Sequence, residues 1–202
     1  MAPRLSLVVL LSVVAAPVTP APPTKDADKY YFPTKVGDTL VYEVTKGKSP
    51  PEEATDVVTA VEKKDGVLVV SVTGTRGKIK MDTKTAVSDK GVFRVANAGI
   101  ALASPMPQLK LPITIGESWT YDHETIPGVP PNKMKYTVAA EEKLELPAGK
   151  FTAVRVDMES EVAGAKFHES RWYAAGVGQV KQVVKYGDSE FVQLLKSRTS
   201  EK

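Results

Sequence analysis

The chain has no cysteine and only two histidines among its 202 residues. Without thiols there are no disulfides, no thiol nucleophile, no iron–sulfur cluster, no cysteine-ligated zinc and no lipidated N-terminal cysteine. Two histidines without ligand spacing leave little for a metal site or for acid–base chemistry, so the sequence predicts neither metal nor cofactor. An excess of one charge is missing as well. Lys and Arg number 27 against 24 Asp and Glu, a formal charge of +3. That balance carries no electrostatic footprint for nucleic acid.

What is present suits a folded domain. Hydrophobic residues make up 42% and charged residues 25%, enough apolar matter to offset the entropy of ordering a chain. The N-terminus reads as an export signal. Arg4 precedes the apolar run Leu5 to Val14, and the small residues Val13 and Ala15 suit cleavage after Ala15. That run is too short to span a membrane, which takes about 20 residues. PVTPAPPTKDADK follows, a proline-rich and charged tether. The expected organisation is a signal peptide over 1–15, a tether over 16–28 and one β-domain over 29–202. The expected location is periplasmic or secreted, with no transmembrane span once the signal is removed.

The domain is written in strands and turns. Leu40, Tyr42 and Val44 alternate with Val41 and Glu43, a half-buried strand. Lys63-Lys64-Asp65-Gly66 is a hairpin turn between Asp56–Val61 and Val67–Val72. Small apolar residues over Ala96–Ala103 leave room for a short helix, and Ser104 to Pro112 is expected to be a proline-pinned loop. The pattern then repeats. Gly116-Glu117-Ser118-Trp119-Thr120-Tyr121 matches Gly37-Asp38-Thr39-Leu40-Val41-Tyr42 position by position. Two duplicated β-units are predicted, about 36–99 and 115–185, forming an all-β antiparallel barrel or curved half-barrel. Because Trp119 matches Leu40, Trp119 is expected in the core and any pocket near the strands around Trp172.

Four stretches carry a family resemblance: Tyr31-Phe32-Pro33, Gly37 to Tyr42, Leu146-Pro147-Ala148-Gly149-Lys150-Phe151, and Trp172 to Lys181. Together the chain resembles exported bacterial β-proteins of the uncharacterised group numbered 3108 among domains of unknown function. Ala175 stands where that group usually has proline, which leaves the turn less rigid. The resemblance implies an antiparallel barrel or half-barrel in the cell envelope and supplies no catalytic residues.

Few residues stand out for chemistry. Trp172 and Tyr173 are adjacent, so on a strand they point to opposite faces; one packs and the other is a candidate for an apolar or glycan ligand. His168 shares a face with Ser170 and Trp172, but residues two apart on a strand lie nearly 7 Å apart, which predicts poor Ser–His pairing. His123 falls at the end of an inward-facing run with Trp119 and Tyr121. Gly176 and Gly178 suit a tight turn with positive φ better than a phosphate loop, since no third glycine or helix follows. The expectation is a non-catalytic envelope β-domain that binds an apolar or glycan ligand or an envelope protein. The alternative is a hydrolase using His123 or His168.

Overall fold

The computed structural model describes residues 30–123, 132–162 and 164–200. The expected signal peptide and tether, and the side chain of His123, lie outside the described residues. Twelve strands form one antiparallel sheet: β1 (Thr39–Lys46), β2 (Glu52–Lys64), β3 (Val67–Arg76), β4 (Ile79–Ser88), β5 (Gly91–Asn97), β6 (Ile100–Lys110), β7 (Ser118–His123), β8 (Asn132–Leu146), β9 (Gly149–Val162), β10 (Ala165–Ala174), β11 (Gly178–Tyr186) and β12 (Ser189–Thr199). Their spatial order is β6-β5-β4-β3-β2-β1-β12-β11-β10-β9-β8-β7. Each six-strand run is therefore a meander. The first strand of one and the last of the other pair from Thr39↔Thr199 to Lys46↔Phe191. The sheet curls into a nearly closed barrel, the all-β architecture that the alternation predicts.

The two ends of the sheet, β6 and β7, meet without a backbone ladder. Side chains bridge them instead: Trp119 Nε1 donates to Pro107 O at 3.1 Å, and the Tyr121 hydroxyl to Ser104 O at 3.1 Å. Trp119 is 6% exposed and stacks on Tyr136 at 5.6 Å. Two expectations are corrected here. No helix forms over Ala96–Ala103, and the proline-rich stretch is strand β6 rather than a loop. An edge strand tolerates Pro105 and Pro107 because one side of it makes no ladder, and bulges opposite Phe93 and Arg94 absorb the misfit.

Turn geometry occurs twice in matching form. Gly37 has φ 85° and Gly116 φ 88°. Gly37 N–H donates to Val58 O at 2.9 Å, and Gly116 N–H to Val138 O at 2.8 Å. A bulge follows Val58 in β2 and Val138 in β8. The segment before β1 crosses into the barrel, where Phe32 packs against two of the three core clusters. Pro33 lies so close to Gly178 that a Cβ there would stand 2.9 Å from its Cδ, and the Gly176 amide donates to Tyr30 O at 2.6 Å. The glycines at the β10–β11 turn thus give the incoming segment its seat.

Candidate functional site

Period-two alternation sends Glu169, Arg171 and Tyr173 of β10 to one face, the barrel interior. There they meet Arg94 of β5, Asp56 of β2 and Gln182 of β11, around a cavity of about 340 Å³. Its apolar wall comes from Phe32, Val58, Val72, Met81 and Met106. Gly74 makes room for the carboxylate, since a Cβ there would stand 2.9 Å from Asp56 Oδ1.

The charges inside are unequally matched. Glu169 is 4% exposed and accepts from Arg171 Nε at 2.8 Å and from Gln182 Nε2. Gln182 in turn accepts from Gln179 Nε2 at 3.3 Å. Burial works against the charge of Arg171, but Glu169 and the nearby Tyr173 outweigh it and hold the guanidinium firmly protonated. The side chain of Arg171 is 25% exposed by surface because it lines the cavity, although it lies deep inside the barrel. Arg94 has no ion pair within 4 Å among the described residues, and its buried Nε has no hydrogen-bond partner. Burial and then the like charge of Arg171 lower it to about 10. Asp56 is pushed up to about 6 by burial, only partly offset by Arg94. Burial also raises the Tyr173 hydroxyl, whose oxygen is shut off from solvent, with Arg171 as its principal opposing charge.

On the other face of β10 the charged groups pair with one another, although the buried Arg155 Nε makes no hydrogen bond. Trp172 is 6% exposed; its Nε1 donates to Glu142 Oε2 at 2.8 Å, and Lys181 Nζ stands 4.3 Å from its ring. Arg155 bridges Glu142 at 2.6 Å and Asp157 at 3.2 Å. Ser170 donates to Asp157 Oδ1 at 2.7 Å. Ser170 Oγ also lies 3.3 Å from His168 Nε2, while His168 Nδ1 is 3.9 Å from Glu159. That contact corrects the expectation of poor pairing: the two side chains lean toward each other across the nearly 7 Å repeat. The hydroxyl has a single proton and gives it to Asp157, so His168 acts toward Ser170 as a donor and not as a base.

The structure separates the two aromatic candidates. Tyr173 lines the cavity, and Trp172 belongs to a hydrophobic core cluster with Ala174 and Val180, its Nε1 ending on Glu142. Among the described residues no cluster of His, Cys, Asp and Glu could hold a metal ion.

Two solved structures share this fold. One is a Bacteroides fragilis NCTC 9343 protein described as a "putative exported protein with YmcC-like fold". It covers 85% of this chain and 99% of its own, with a TM-score of 0.60 and 12% identity. The other is a "putative lipoprotein" from Parabacteroides distasonis ATCC 8503, covering 84% of this chain and 98% of its own, with a TM-score of 0.57 and 15% identity. At such identities the likeness is one of fold. No family model matches the chain, and no curated protein matches it.

Asp56, Arg94, Glu169, Arg171 and Gln182 escape a sequence reading that looks for catalytic residue types. One signal was there. Glu169, Arg171 and Tyr173 occupy every second position of a strand, with Ser170 and Trp172 between them, so alternation puts both charges on one face with an aromatic ring. Arg94 gives the same hint between Val92 and Ala96.

Proposed function

We propose that this chain is an exported, non-catalytic β-domain of the cell envelope that holds a small ligand inside its barrel. The observation that carries this reading is the cavity of about 340 Å³, which combines an apolar wall with an arginine that makes no ion pair within 4 Å among the described residues. Small-molecule sites run from about 300 to 1,000 Å³ and join a mostly apolar lining to a few convergent polar groups. A core built only for stability pairs its buried charges. Export is supported by the leader-like run Met1–Ala16 and by the words "exported" and "lipoprotein" applied to the two structural neighbours. The recurring geometry at Gly37 and Gly116 supports an origin of the two meanders by duplication.

The test is native mass spectrometry of the full chain purified from its own compartment. A mass excess that is lost on denaturation and resolves as a small molecule is the expected result. Bare polypeptide from native sources, with no stabilisation by small molecules extracted from the same cells, would overturn the reading.

A hydrolase remains the second reading because Ser170 and His168 stand in contact with Glu159 behind the ring. Against it stands the Ser170 proton, which is committed to Asp157. A fluorophosphonate probe distinguishes the two. Labelling at Ser170 that vanishes in Ser170→Ala would establish the hydrolase, and the expected result is no labelling.

A further inference from the structure

We propose that the barrel ligand is a monocarboxylate with a short apolar body, its carboxylate held by Arg94 and its body laid against Phe32, Val58, Val72, Met81 and Met106. The assignment rests on the reading of the cavity as a binding site and adds the chemistry of its occupant. Arg171 has its counter-ion in Glu169, at 2.8 Å. Arg94 lines the same cavity and has none within ion-pair distance among the described residues.

The Asp56 carboxylate acts on Arg94 but makes no ion pair with it. Asp56 is more easily protonated than an ordinary aspartate, up to about 6, and an acid in direct contact with a guanidinium shifts the other way. Burial and the like charge of Arg171 make Arg94 give up its proton more readily than usual, and Asp56 and Glu169 only partly offset them. Leaving a guanidinium uncompensated in a low-dielectric interior is costly, and an arriving carboxylate removes that cost with two charge-assisted hydrogen bonds to the guanidinium fork.

The valence follows from the same neighbours. Asp56 and Glu169 act on Arg94 with negative charge and Arg171 with positive, so a second charge on a dianion would be set against two carboxylates. A phosphate monoester or dicarboxylate is therefore disfavoured. The body follows from the wall, where two methionines and two valines offer contacts to carbon but no hydrogen bonds. Tyr173, 2% exposed and with its hydroxyl oxygen lacking a hydrogen-bond partner of normal geometry, adds a second donor beside the arginine.

The test uses four probes on the full chain by isothermal titration: octanoate, octanol, octylammonium and acetate. Octanoate is expected to bind at least tenfold more tightly than octanol, octylammonium and acetate. Arg94→Met should weaken octanoate at least tenfold and leave octanol unchanged. Arg94 makes no ion pair within 4 Å among the described residues, so this variant is expected to fold, and the four-probe ranking on the unmodified chain tests the proposal without it. Equal binding of octanoate and octanol, or preference for octylammonium, would overturn the carboxylate while leaving the cavity a binding site. Acetate as tight as octanoate would overturn the apolar body. If none of the four binds, the carboxylate assignment fails together with the reading beneath it.

Discussion

Strand β10 shows two faces built from alternating side chains of one six-residue stretch. Glu169, Arg171 and Tyr173 look into the barrel, whereas His168, Ser170 and Trp172 look away from it. Both faces mix charge with an aromatic ring, and composition alone does not tell them apart. They differ in completeness. Outside, Trp172 ends on Glu142, Arg155 joins Glu142 to Asp157, and Ser170 closes on Asp157, so each charge stands within ion-pair distance of an opposite one, although Arg155 Nε makes no hydrogen bond. Inside, the Glu169–Arg171 pair is satisfied but faces Arg94 across open space. A network that satisfies itself is architecture, while one that stops short in a cavity waits for another partner.

The largest expected effect tests the inner face. Glu169→Ala leaves Arg171 buried without its carboxylate and should cost about 3–5 kcal/mol in denaturant unfolding. Glu169→Leu combined with Arg171→Met removes both charges and should restore most of that loss. If the single and double variants are equally unstable, the ion pair is not the cause and the inner face is ordinary core.

Trp172→Ala is next, at about 3 kcal/mol, because the ring is 6% exposed and its Nε1 holds Glu142. An unchanged midpoint would recast the outer face as a binding platform. That outcome would also return Trp172 to the list of ligand contacts, where the sequence had placed it beside Tyr173.

How far these faces were legible depends on what periodicity encodes. Alternation at Leu40–Tyr42–Val44 is a local property, and it foretold a strand with the correct side buried. The seam was not legible. Nothing local in Ser104–Pro107 says that Trp119 and Tyr121 will reach its carbonyls, so a stretch broken by proline looked like a loop. The inner charges were hidden by the same limit. Arg94 and Arg171 lie 77 positions apart, and only closure of the sheet brings them to one cavity. His168 and Ser170 drew notice as catalytic residue types, whereas Glu169 and Arg171 belong to no catalytic pattern.

A pH measurement sharpens the contrast from the side of Asp56. Its carboxyl titrates near 6 in the folded chain against 3.8 in the unfolded one. The folded state therefore binds the proton more tightly. This group costs stability above pH 6, and the cost fades as pH falls through 6 and is gone below about 4. At about 1.36 kcal/mol for each tenfold change, the full effect is at most about 3 kcal/mol, and water in the cavity reduces it to about 1–3. Asp56→Asn should raise stability at pH 7 by that amount and leave it unchanged at pH 4. The same gain at both pH values would mean that the carboxyl is not desolvated, and the inner face would then differ from the outer in shape alone.

The smallest effects belong to the pair that looks most like chemistry. Ser170→Ala removes one hydrogen bond to Asp157 on a residue 9% exposed, worth about 1 kcal/mol. The Asp157 carboxylate keeps Arg155 at 3.2 Å, which limits the loss. His168→Ala should change stability by less than about 0.5 kcal/mol, because the ring is 43% exposed and its pair with Glu159 spans 3.9 Å at the surface. The two substitutions should also be nearly additive. With its proton on Asp157, the hydroxyl only accepts from His168, and the contact couples the residues weakly. A coupling above about 1 kcal/mol in the double-mutant cycle would show that the hydroxyl donates to His168 after all. It would then be the outer face of β10 that carries unfinished chemistry.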